Sequence, residues 1–210
     1  MQTKLIIGIP TINRADLLNE ALIKYFEDFI ETEIVIVDNG KQDIIIREKK
    51  FFIYRPHENL GVSGSWNIIM DYADKVKATH VLMLNDDIYL GKNEQQIFSL
   101  IYHSPDCHFF NSLMNWSAWI LSVKAYKTIG AFDENFFPAY FEDNDYCYRM
   151  RLCGFDRINT SYLNPVVYRN SQTILKDSSL NQNFNKNRQY YASKWGGIPS
   201  EETFTTPFNK

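Results

Sequence analysis

Three short apolar runs constrain this chain most: Leu5 to Ile9, Glu33 to Val37 and Val81 to Leu84, each halting abruptly at a polar cluster. None is long enough for a buried helix and none alternates apolar with polar residues. Each therefore reads as a strand covered on both faces, the signature of a parallel-type sheet. Between them the spacing changes. Leu17, Leu18, Ala21, Leu22, Tyr25, Phe26 and Phe29 mark one face of a helix over residues 15–30. Val62 to Ala73 predicts a second helix, with Ser63 or Ser65 near its start as caps, and Phe51 to Tyr54 a further strand. Strand-helix-strand alternation builds βαβ units and an α/β sheet.

In such sheets ligands bind at the carboxyl ends of the strands. Here those ends read Pro10-Thr11-Ile12-Asn13-Arg14, Asp38-Asn39-Gly40 and Asn85-Asp86-Asp87. Taken singly, Asp-Asn-Gly marks a turn and Asp86-Asp87 a solvated loop. Their recurrence at successive strand ends points instead to nucleotide binding. Thr11 and Arg14 can meet phosphate or base, Asp38 can accept from a base or ribose, and Asn59-Leu60-Gly61 brings backbone close to a ligand ahead of the second helix. Adjacent carboxylates repel, so a compensating cation is expected at Asp86-Asp87. Mg²⁺ and Mn²⁺ prefer oxygen ligands, typically one or two carboxylates plus substrate phosphates.

Competing motifs are missing from the sequence. It holds no G-x-G-x-x-G, no P-loop and no G-x-S-x-G elbow, and its four histidines show no zinc spacing. The net charge of −3 gives no general attraction to nucleic acid or anionic lipid. Cys107, Cys147 and Cys153 form no C-x-x-C, which suits a reducing compartment or plain core use. The first residues lack a signal-peptide layout, and no apolar run nears the roughly 18 to 20 residues of a bilayer span. The expectation is a cytoplasmic domain without a transmembrane segment.

The second half is aromatic-rich and carries one clear helix, about Glu142 to Cys153, acidic in its first turn and basic in its last, with Gly154 as its stop. Three carboxylates in four positions (Glu142, Asp143, Asp145) exceed what dipole complementarity needs, so one is a candidate general base. Trp116, Trp119 and Trp195 can stack on sugar rings or fill the core. The expected layout is a single domain over residues 1–195, with a nucleotide-binding half (1–112) and an acceptor-binding half (113–195). Residues 196–210 read as a tail or linker to further domains.

The ordered set of stretches resembles the inverting glycosyltransferases of family 2, over residues 9 to about 195. IPTINR and IVIVDNG are similar to the family's first two strand ends, and RPHENLGVSGSWN to its N-x-G segment ending in a helical Asn, here Asn67. LNDD resembles the D-x-D metal motif, with Asn85 at its first position, Asp86 near the ribose and Asp87 on the metal. IGAFDENFFPAYFEDNDYCYRM looks like the stretch whose E-D pair supplies the base, by position Asp143. The resemblance implies a GT-A fold, a mixed and mostly parallel central sheet flanked by helices. It also implies a Mn²⁺ or Mg²⁺ cofactor, a nucleoside-diphosphate sugar donor of UDP or dTDP type, and a glycan hydroxyl as acceptor. It extends to glycosyltransferase domains that open larger proteins of alga-infecting DNA viruses, which would act in the host cytoplasm. One departure is Tyr168, in PVVYRNSQT, where the family often places a metal-binding His. The alternatives left open are a non-catalytic nucleotide-sugar binding module and a sugar nucleotidyltransferase.

Overall fold

The computed structural model describes residues 3–45, 51–169 and 183–210. Four strands of the first half, β1 (Leu5–Thr11), β2 (Glu33–Asp38), β3 (Phe51–Tyr54) and β4 (His80–Leu84), lie parallel. A short β5 (Ile88–Tyr89) follows, and the second half adds β6 (Phe109–Ser112), β7 (Ala118–Ser122) and β8 (Ile158–Thr160). The main sheet runs β3-β2-β1-β4-β7-β6-β8, with β7 antiparallel to both neighbours and β8 parallel to β6. A last strand, β9 (Val167–Tyr168), pairs with β5 in a separate two-stranded sheet among the described residues. The mixed, mostly parallel sheet is the one expected.

Helices cover both faces, which is why β1, β2 and β4 are apolar between their end residues. Helices α1 (Ala15–Asp28) and α3 (Glu94–Tyr102) pack Leu18, Leu22, Phe26, Ile97 and Ile101 against Ile7, Ile9, Ile36 and Leu82. On the other face α2 (Gly61–Lys75), α4 (Val123–Ile129) and α5 (Glu142–Leu152) set Trp66, Ile69, Met70, Tyr126 and Met150 against Ile6, Val35, Val81 and Met83. Each such side chain contributes about 1.5–3 kcal/mol when fully buried. Helix α6 (Phe184–Trp195) closes a third cluster, with Tyr191 and Trp195 against Phe136, Phe141 and Tyr148.

Three details differ from the sequence reading. Pro10 does not end β1: pairing with β2 continues to Thr11 while pairing with β4 stops at Gly8–Met83, so one flank of Pro10 has no ladder bond to lose. Neither Ser63 nor Ser65 caps α2. The helix opens at Gly61, and both serines are buried within it, Ser65 bonding back to the Gly61 carbonyl. Residues 196–210 fold back on α6, where the N–H groups of Thr203 and Phe204 both donate to the Trp195 carbonyl.

Candidate active site

The carboxyl ends of β1, β2 and β4 meet the start of α2 around a cavity of about 180 Å³. Pro10, Thr11, Asn39, Gly61, Asn85, Asp86 and Asp87 all line it. Parallel strands bring them there because each strand delivers its last residues to the same edge. Local bonds fix the geometry. The Thr11 hydroxyl donates to Asp86 Oδ2 at 2.7 Å and accepts from Gln42 Nε2 at 3.1 Å. Asn39 bridges to α2, accepting from Leu60 N and donating to Ser65 Oγ. Asp86 and Asp87 are both buried. Burial pushes the Asp86 carboxyl up to about 7 and the Asp87 charge pushes the same way, against Thr11, Arg14 and the Ile12 N–H. Pairing of β5 with β9 sets Tyr168 opposite Ile88, next in chain to Asp87. Arg169 ion-pairs with Glu20 and lines, with Asp87, a neighbouring recess of about 320 Å³.

Arg14, Asp38 and Asn67 do not line this cavity. Arg14 is buried and forks onto Asp16, both contacts at 3.0 Å. Asp38 is fully buried and holds its own turn together, accepting from Gly40 N, Gln42 N and Arg55 Nε. Asn67 clamps α2 to the 132–134 segment: its amide accepts from Phe132 N and donates to Phe132 O and Glu134 Oε1. Arg14 finds its partner two residues away, whereas Asp38 reaches Arg55 and Asn67 reaches the 132–134 segment across longer stretches of sequence.

The segment before α5 ties the two halves together. Val62 N donates to Pro138 O at 2.8 Å, and a Cβ on Gly61 (φ +67°) would stand 2.7 Å from that same oxygen. Only glycine lets the 137–139 backbone come this close. Tyr140 and Phe141 both hold left-handed backbone (φ +78° and +72°) at the entrance to α5. Consecutive non-glycine residues in this region are costly and concentrate at functional sites. They deliver the acidic first turn of α5 to a second cleft, about 530 Å³, which Asp143 lines with Asn111, Trp116, Cys147 and Arg157.

The three carboxylates of that turn have different environments. Asp145 is fully buried and paired with Lys194 and Arg149, and it accepts from Trp195 Nε1. That makes it structural. Glu142 is buried, its Oε2 without a partner among the described residues, and burial first, then the Asp143 charge, push its carboxyl well up. Asp143 is half-buried and open to the cleft; burial raises it while the Asn144 N–H and the Arg157 charge oppose. Both are pushed up, Glu142 the more strongly, and of the two only Asp143 has a cation, Arg157, opposing the rise and an opening to the cleft.

Among the tryptophans, Trp119 and Trp195 are fully buried, so their faces serve the core and not a sugar. Trp116 is half-buried, lines the second cleft, and stacks on Trp66 with ring centres 5.5 Å apart. Trp66 in turn lines the first cavity, so one stacked pair joins the two spaces. The sequence reading passed over Trp66, although it sits inside the quoted SGSWN stretch.

A twisted, mostly parallel sheet with a carboxylate pair at its strand ends and an acidic helix turn beside a second cleft defines a GT-A type transferase scaffold. Residues 6–115, just over half the chain, match the family profile described as glycosyl transferase family 2, and the chain belongs to that family. A galactofuranosyl glycosyltransferase of Leishmania donovani is 35% identical over 75 residues, 36% of this chain and 17% of that protein. The chain thus aligns with a minor part of that relative. Crystal structures of S. aureus TarS residues 1–349 share the fold, at TM-score 0.56 and 14% identity, covering 71% of this chain and 56% of theirs. The same TarS region in complex with UDP matches at TM-score 0.54 and 15% identity, covering 72% and 56%. Its complex with UDP-GlcNAc matches at TM-score 0.53 and 14% identity, covering 72% and 54%.

Proposed function

We propose that this domain transfers a hexose or deoxyhexose from a nucleoside-diphosphate sugar, of UDP or dTDP type, to a glycan hydroxyl with inversion at the anomeric carbon. The observation that carries it is the pair of spaces joined by the Trp66–Trp116 stack, one bearing Asp86 and Asp87, the other Asp143. The UDP and UDP-GlcNAc complexes of TarS support a uridine donor.

The carboxylate pair suits a hard divalent cation: both groups are buried, and burial together with the Asp87 charge pushes Asp86 up. Among the described residues no group of three or more metal-ligating side chains gathers. Asp87 and Asp86 would therefore hold Mn²⁺ or Mg²⁺ together with the donor's phosphates. Bound there, the ion would neutralise charge on the departing diphosphate. Thr11 orients Asp86, Asn39 fixes the start of α2, and Gly61 admits the backbone that closes the cavity. Asp143 takes the proton of the acceptor hydroxyl as that oxygen bonds the anomeric carbon. The bond from that carbon to the phosphate oxygen breaks on the opposite side, and its electrons leave with the nucleoside diphosphate.

Calorimetric titration of UDP, dTDP, GDP and CDP, with Mn²⁺ and with EDTA, tests donor binding. Metal-dependent binding of one nucleotide that Asp87→Ala abolishes supports the reading. No binding by folded protein refutes it. Asp143→Asn should retain nucleotide binding and lose transfer by about 10²–10⁴-fold. A wild-type protein that binds a nucleotide sugar but never turns it over would be a binding module.

A further inference from the structure

The stretch from Gly196 was expected to be a linker, yet it is built as a wall of the second cleft. Two glycines make this possible. Gly196 ends α6 in the left-handed region (φ +73°), and a Cβ there would stand 2.3 Å from Thr203 Oγ1. A Cβ on Gly197 would fall 2.0 Å from the Glu201 carbonyl oxygen. The chain therefore doubles back within a few residues, closed by Glu201 N donating to Ile198 O at 2.8 Å, with Ser200 also left-handed (φ +75°).

The doubled-back loop is bolted to α5 and α6. The Glu202 side chain is 5% exposed; it accepts from Tyr191 OH at 2.5 Å and from Arg151 Nη2 at 3.1 Å. Burial pushes its carboxyl up, but these bonds and nearby backbone N–H groups outweigh it and hold the group below its ordinary value. Tyr148 OH donates to Phe204 O at 2.7 Å. Pro199, Ser200 and Glu202 line the same cleft as Asp143 and Trp116. The same cleft is lined by Asn111, 3% exposed, whose Oδ1 has no hydrogen-bond partner among the described residues. An orphaned buried amide oxygen costs about 1–3 kcal/mol unless something donates to it. Amides and hydroxyls around one aromatic face form the chemistry that recognises a hydroxyl-rich saccharide.

We infer that the loop 197–204 is the acceptor-side wall of the transferase and determines which saccharides reach Asp143, with Ser200 facing the acceptor. This rests on the glycosyltransferase reading above. It adds that acceptor choice is set by a segment outside the region matching the family profile, residues 6–115.

The test uses the full chain with its preferred nucleotide sugar and Mn²⁺. Donor hydrolysis, in which water is the acceptor, is measured beside transfer to a panel of methyl and p-nitrophenyl glycosides. Ser200→Tyr fills the cleft; serine already carries a Cβ at this positive φ, so an unbranched replacement adds little strain. We expect hydrolysis within twofold of wild type, and transfer to the best acceptor reduced at least tenfold, chiefly through acceptor KM. Glu202→Gln removes the charged bolt without filling the cleft, and should raise acceptor KM while leaving hydrolysis intact. Unchanged acceptor KM in both variants overturns the inference. So does a wild-type protein that hydrolyses donor yet glycosylates no member of the panel. Absence of donor hydrolysis and nucleotide binding in the wild type would instead refute the transferase reading itself.

Discussion

Replacing Lys194 with methionine removes one ammonium from between two carboxylates. Lys194 Nζ lies 2.7 Å from Asp133 Oδ2 and 2.6 Å from Asp145 Oδ1, and all three side chains are largely buried. The ion fixes α6 to α5 and to the 132–136 segment, so it holds the helix that carries Asp143. Methionine keeps most of the aliphatic stem, so the loss is electrostatic. Breaking a buried ion pair by removing one partner costs about 3–5 kcal/mol, since the charge left behind stays desolvated. Here the lower end applies, because each carboxylate retains other donors. Asp145 keeps Arg149 and Trp195 Nε1, and Asp133 keeps Tyr190 OH and the Asn135 N–H. A cost of about 3 kcal/mol corresponds to a fall in Tm of about 6–12 °C for a chain of this size. Urea unfolding followed by far-UV circular dichroism measures it directly. Pairing Lys194→Met with Asp145→Asn should cost less than the two single changes summed. The acid dependence offers a second check. Burial pushes the Asp133 carboxyl up, but Lys194 and the Asn135 N–H more than offset it and hold the group below its ordinary value. Its stabilisation is present above that ordinary value and is lost as pH falls through the folded one. That loss should shrink in the variant. A stability change under about 1 kcal/mol, or full additivity of the two substitutions, would refute the reasoning.

Two further outcomes follow from the core. Gly8→Ala places a Cβ 2.5 Å from Ile69 Cγ2 and 2.9 Å from Met83 Sδ, so it should destabilise by about 1–3 kcal/mol through overpacking; an unchanged urea midpoint would contradict this. Burial, helped by the His108 charge, pushes the His80 imidazole down to about 4. The folded value lies below the unfolded one, so the group's contribution is intact above about pH 6.5 and is lost as pH falls toward 4. The loss is at most about 3 kcal/mol, reduced by solvent reaching the half-buried ring. His80→Gln should flatten stability over that window, and an undiminished slope would assign it to other groups.

The sequence by itself determined the elements of the first half. Continuous apolar runs cannot sit on a half-solvated sheet, so β1, β2 and β4 had to be covered on both sides, and the polar clusters after them had to share one edge. Thr11, Asn39, Gly61, Asp86 and Asp87 reach the cavity for that reason. Helix α3, by contrast, was not read from the sequence although it carries a capping box from Asn93 and Gln96. Helix α6 escaped because its buried side chains are polar or aromatic and find partners in α5, the 133–140 segment and Glu202, which no local pattern joins to it. Tertiary structure alone decided which acids are available. Asp145 and Asp143 look alike two positions apart, yet one faces Lys194 and Arg149 while the other opens on a cleft. It also gave Arg14, Asp38 and Asn67 their hydrogen-bond partners, and folded residues after Gly196 back on α6 so that Pro199, Ser200 and Glu202 line the second cleft. Periodicity records how much surface a segment must bury. The identity of a side chain's partners depends on contacts across more than fifty positions of sequence, such as Val62 with Pro138, which no local pattern encodes.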